Sequence, residues 1–159
     1  MKRSSLLLSF SLLLAGCGQA AAPESDVEAC EHLQEGPAVA VTAAATADAV
    51  APSVSEPHKR YDVALVSVSG GKGGSVSFAS SDQGHHVLYL STDVPVEVRD
   101  GSGAVVAFES TATSISSCGE VKSKRELELG VGTYRITFGP TPTASVSLVM
   151  EYAGEGHAH

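Results

Sequence analysis

The sequence predicts a mainly β domain, an antiparallel β-sandwich or jelly-roll of about eight strands with one short N-terminal helix. Two observations carry that prediction. From Tyr61 onward, apolar and polar residues alternate in twos between clusters of turn residues, which marks half-buried strands. The phase is clearest late in the chain, where Tyr134, Ile136 and Phe138 alternate with Thr133, Arg135 and Thr137. Likewise Val146, Leu148, Met150 and Tyr152 alternate with Ser145, Ser147, Val149 and Glu151, so that one face is expected in the core and the other in water. The second observation is that the turns between these runs are close, which favours antiparallel neighbours over the crossovers of an α/β fold.

The elements follow in order. Lys2-Arg3 is a cationic start, and an apolar run from Leu6 to Leu14, broken only by Ser9 and Ser11, leads to Leu14-Ala15-Gly16-Cys17. A basic n-region, a short h-region and small residues before a cleavage point make a secretory signal. The run falls short of the roughly 20 apolar residues a spanning helix requires. Leu-Ala-Gly-Cys resembles the lipobox of bacterial lipoproteins. That resemblance implies removal of residues 1–16, a diacylglyceryl thioether on Cys17 and acylation of the new N-terminus. Two or three acyl chains anchor durably, because each buried methylene contributes roughly 0.8 kcal/mol. Gly18, rather than Asp, follows the cysteine; in family terms this implies export to the outer membrane of a two-membrane cell.

Residues 17–24 form a lipidated tether, and the domain is expected over 25–153. Ser25-Asp26-Val27-Glu28 reads as a capping box and Gly36-Pro37 as a stop with a left-handed glycine cap. The implied helix of about ten residues would turn Val27, Cys30 and Leu33 inward. Residues 38–57 are the least decidable: Ala38–Ala45 as an extended strand, Ala47–Pro57 as a surface loop, with Pro52 and Pro57 against a helix. Strands are expected near 61–68, 75–79, 85–90, 94–100, 104–108, 121–129, 133–139 and 144–152. Asp100-Gly101-Ser102-Gly103 supplies one tight connection. The run Gly132-Thr-Tyr134-Arg-Ile-Thr-Phe-Gly-Pro140 is similar to the last strands of secreted sandwich modules of the prepeptidase C-terminal kind. Residues 154–159 form a histidine-containing tail.

Composition narrows the functional classes. The chain has 159 residues with 10 Lys plus Arg against 18 Asp plus Glu, a formal net charge of −8. Losing Lys2 and Arg3 with the leader leaves eight basic residues and a net charge of −10. Such a surface repels nucleic acid and anionic lipid and favours cations. Trp is absent and there are four Tyr and four Phe. That scarcity speaks against a carbohydrate platform, which would need Tyr61 and Tyr89 exposed on a concave face. With Cys17 lipidated, Cys30 and Cys118 remain, an even pair that an oxidising compartment would join. The loop of about 90 residues would be worth roughly 4 to 5 kcal/mol as an upper figure.

No catalytic pattern emerges. Gly70-Gly71-Lys72-Gly73-Gly74-Ser75 lacks the phosphate-loop spacing and precedes an alternating strand, so it reads as a flexible hairpin loop. There is no Gly-x-Ser-x-Gly elbow, no His-Glu-x-x-His helix, and no calcium-loop spacing among Asp82, Asp93 and Asp100. The six histidines are the one enrichment: His32, His58, His85, His86, His157 and His159. His157-Ala158-His159 could wrap two imidazoles around Cu(II), Zn(II) or Ni(II). His85 and His86 are adjacent on a strand and must point to opposite faces. The first expectation is a non-catalytic, membrane-anchored envelope lipoprotein that binds an envelope partner or serves structurally, without a cofactor. The alternative is a metal-binding lipoprotein, which requires histidines distant in sequence to converge.

Overall fold

The computed structural model describes residues 22–46 and 49–154. Cys17 and the leader, and His157 and His159 in the tail, lie outside the described residues. One helix, α1 (Glu24–Glu35), is followed by eleven strands: β1 (Ala38–Thr42), β2 (Arg60–Ala64), β3 (Val66–Val68), β4 (Gly71–Ser80), β5 (Gly84–Leu90), β6 (Val96–Arg99), β7 (Val105–Val106), β8 (Ser110–Ala112), β9 (Ser123–Leu129), β10 (Gly132–Thr141) and β11 (Ser145–Tyr152). The fold is a β-sandwich of two sheets, ordered β1-β2-β11-β5-β9-β8 and β3-β4-β10-β6-β7. Pairing is antiparallel except between β1 and β2, which run parallel with Val39 opposite Tyr61.

The core lies between the sheets, where Leu88, Leu90, Leu127, Leu129, Ile136, Phe138, Val146 and Leu148 interdigitate. Tyr134, Ile136 and Phe138 are buried as their alternation predicts. A second apolar layer sits on the outer face of the six-stranded sheet, where Ala29, Cys30 and Leu33 of α1 cover Val87, Tyr89 and Val149. This layer corrects the expected wet face of β11. Val149 and Glu151 lie under the helix and are buried, while Tyr152 is largely exposed.

Several local expectations also change. Helix α1 begins at Glu24, with the carbonyl of Pro23 accepting from the N–H groups of Asp26 and Val27 at 3.0 and 3.3 Å. No side chain caps it, and Ser25 sits in its first turn, so the capping box does not form. Gly36 ends the helix as expected, but in extended rather than left-handed backbone, φ −63° and ψ 152°. The inward stripe is Asp26, Ala29, Cys30 and Leu33, and Val27 is exposed. Spacing of three, one and three is the ordinary helix face, shifted by one residue because Asp26 is paired beneath the helix and can be buried.

The expected strand 61–68 is two strands in different sheets, since the chain crosses from one sheet to the other at buried Leu65, whose N–H bonds the carbonyl of Ala144 at 2.8 Å. The glycine run is not a loop: Gly71 to Gly74 belong to β4, and the turn is confined to Ser69-Gly70. A Cβ on Gly74, at φ 121°, would lie 2.8 Å from both Ala43 Cβ and the Ala44 carbonyl oxygen. Glycine is there for close approach. The segment after β1 runs along the edge of β4, with two-way backbone bonds between Ala44 and Ser75 and bonds linking Pro52 and Val54 to Ser77. Ala43 and Val54 enter the core, so this is an edge seal rather than a surface loop.

Candidate functional site

The sequence-predicted pair Cys30 and Cys118 is joined, with a Cα–Cα distance of 5.6 Å and a sequence separation of 88. The bridge fastens α1 to the segment before β9. Beside it, the Tyr89 hydroxyl donates to Asp26 Oδ1 at 2.7 Å and lies 3.2 Å from the Ser25 hydroxyl, which can donate to it. Lys124 Nζ lies 2.8 Å from Asp26 and 3.0 Å from Glu126. Burial pushes the Tyr89 hydroxyl far above its usual range, and the Ser25 bond only partly opposes this. Burial pulls the Lys124 ammonium down, but its bonds to Asp26 and Glu126 outweigh this and leave it raised. The helix is docked by one covalent bond and one satisfied polar cluster.

That docking sets the position of His32 in the last turn of α1. Its Nδ1 lies 2.7 Å from Glu151 Oε1 on β11. His58 approaches from the turn before β2, with its ring centroid 5.2 Å from that of His32, edge to face. The turn is pinned at both ends. Arg60 Nη1 donates to the Leu33 carbonyl at the helix C-terminus at 2.9 Å, and the Tyr61 hydroxyl accepts from the Glu56 N–H at 2.9 Å. Donor atoms of His32, His58 and Glu151 lie within 4.8 Å of one another. Glu151 is 4% exposed, and burial raises its pKa, partly offset by the His32 hydrogen bond. His58 itself holds φ 55°, in the left-handed region that costs a side-chain-bearing residue energy.

The cluster opens into a cleft of about 330 Å³ whose lining includes Glu28, His58, Ser80, Asp82, His86 and Glu151. His86, buried at the far side, is bonded to Ser80 Oγ through Nε2 at 3.1 Å and to the Gly84 carbonyl through Nδ1 at 2.9 Å. Because Gly84 offers only an acceptor, His86 Nδ1 carries a proton and donates it there. The Ser80 hydroxyl also lies 2.6 Å from the Asp82 carbonyl and is itself buried. This serine is a lock between two turns.

The remaining candidates separate. His85 is exposed on the other face of β5 and pairs with Glu109 and Glu128 at 3.0 and 3.6 Å. Such surface pairs are ordinary, since exposed ion pairs contribute little and need no ligand to explain them. His85 and His86 therefore serve different places, as their adjacency on a strand predicts. Tyr61 and Tyr89 are buried and offer no platform for a sugar. Sequence reasoning missed Glu151 and Glu28, the first assigned to water and the second to a capping box. The available signal was a lone carboxylate, two residues after Val149, on what is a doubly covered strand. No protein-family model matches the chain, and no curated protein matches it.

Proposed function

We propose that this chain is an exported, lipid-anchored protein of the bacterial envelope whose β-sandwich acts as a non-catalytic binding module. The observation that supports export is the Cys30–Cys118 disulfide, because structural disulfides persist in oxidising compartments and are rare in a reducing cytosol. It joins the lipobox reading at the one point where they bear on each other: three cysteines divide into one for lipid and two for the bridge. Helix α1 begins seven residues after Cys17, so an extended tether would hold the domain within about 25 Å of the acyl chains. No helix among the described residues is long and apolar enough to cross a membrane.

The non-catalytic reading rests on the best-placed nucleophile candidate. Ser80 meets His86, but its hydroxyl is bonded to the Asp82 carbonyl at 2.6 Å, so its proton is held away from the imidazole that would have to activate it. Recognition by the exposed acidic surface would favour cationic partners.

The test is metabolic labelling with palmitate followed by separation of inner and outer membranes. The wild-type chain takes up label and sediments with the outer membrane, whereas Cys17→Ser carries no label and is soluble or retained with its leader. An unlabelled wild-type chain, or free thiols at Cys30 and Cys118 in the exported protein, would overturn the reading.

A further inference from the structure

We infer that His32, His58 and Glu151 form a binding site for a divalent transition-metal ion of the zinc and copper kind, with an open position facing the cleft. The inference goes beyond membrane attachment and does not depend on it. Three separate observations carry it.

The first is convergence. A helix, a turn and a strand bring two imidazoles and a carboxylate together, with donor atoms within 4.8 Å, although His32 and Glu151 are 119 residues apart. Ligands held about 2.0 to 2.1 Å from one ion are at most about 4.2 Å apart. A small rotation of the exposed His58 ring closes the set. The second is a buried carboxylate with a single polar partner. Glu151 is more than nine-tenths buried, and His32 is its one hydrogen-bond partner among the described residues. Burying a carboxylate is costly unless cations and hydrogen bonds surround it, and a divalent ion supplies that charge. The third is strain: His58 is held at φ 55° although a glycine would fit there without cost. Such backbone persists where the structure around it enforces it, and here Tyr61 and Arg60 fix the turn.

A His32–Glu151 ion pair alone accounts for the first contact but gives no reason for His58 to face it. Two nitrogens and one oxygen are a borderline donor set, suited to Zn(II), Cu(II) or Ni(II) and unsuited to calcium or magnesium, which take oxygen ligands. Three protein ligands leave a position for water or an incoming donor, as open zinc sites do. Glu28, one helical turn before His32, lines the same cleft. An open, partly exposed site of this kind suits capture and release of an ion rather than permanent structural storage.

Calorimetric titration of the full-length lipoprotein in detergent with ZnCl2, CuCl2 and NiCl2 tests this. The expected result is one ion per chain at sub-micromolar Kd, tightest for Cu(II) as the divalent series orders it. His58→Gly keeps the left-handed backbone, removes the imidazole and is expected to weaken binding at least about 100-fold with its thermal unfolding unimpaired. Glu151→Gln is expected to weaken it comparably. His85→Ala and the double variant His157→Ala/His159→Ala are expected to bind as wild type. Undiminished binding by His58→Gly, loss of binding in the His85 or tail variants instead, or no binding by the wild type would each overturn the assignment.

Discussion

At the scale of single residues, the polar cluster under α1 makes the clearest prediction. Tyr89 and Lys124 both hold their protons more tightly in the folded chain than an unfolded chain would. Their contribution to stability is therefore complete below about pH 10, the ordinary range of both groups, and is lost as pH rises above it. Thermal unfolding followed between pH 8 and 11 is expected to show a falling midpoint above pH 10. Tyr89→Phe should flatten that fall and, by leaving Asp26 without one of its donors, cost about 1 to 3 kcal/mol at neutral pH. An unchanged pH profile would show that the hydroxyl does not govern it. Little of this was legible in the sequence. Asp26 looks like a helix-start acid, and Glu151 looks like a wet-face residue, because their partners lie 63 and 119 residues away in Tyr89 and His32. Cys30 and Cys118 were legible, since export and even number leave them only each other.

At the scale of elements, legibility follows how many faces a segment buries. Strand β10 buries one face, and its alternation gave it away. In β5, Leu88 and Leu90 face the sandwich while Val87 and Tyr89 face the helix, so the run from His86 to Leu90 is buried throughout and carries no alternation. Strand β8, three residues long and polar, has no signal at all. The helix was legible in its stop and its cysteine but not in its exact face. Its attachment is testable as a unit. Replacing both bridge cysteines by serine frees a loop of 88 residues, which chain entropy values at no more than about 4 to 5 kcal/mol. Hydrogen exchange is expected to accelerate first in α1, with β10 protected until global unfolding. Uniform loss of protection would mean the bridge holds the whole sandwich rather than the helix.

At the scale of the whole molecule, the fold class was readable and the sheet order was not. Composition and period predict a sandwich, but nothing local places β11 between β2 and β5, or pairs β1 with β2 in parallel across the segment that seals β4. Those are choices made by long-range burial. Leu148 sits in the centre of that arrangement with no exposure, and Leu148→Ala is expected to cost about 2 to 5 kcal/mol in urea unfolding, against under about 0.5 for Val131→Ala on the surface. Similar costs at the two sites would contradict a single cooperative core.

The bridge also decides where a pulling force would travel. Tension arriving from the membrane side of the chain would enter at Glu24 and reach Cys30 after six helical residues. Beyond that point the load passes through sulfur to Cys118 and into β9, which is zipped to β5 along seven residue pairs and loaded along its length. The slack that can be drawn out is about 12 Å, the difference between six residues fully extended and the same six in the helix. His32 lies past the bridge, so a chain pulled from its N-terminal side would yield only ahead of Cys30 and leave the arrangement of His32, His58 and Glu151 unaltered.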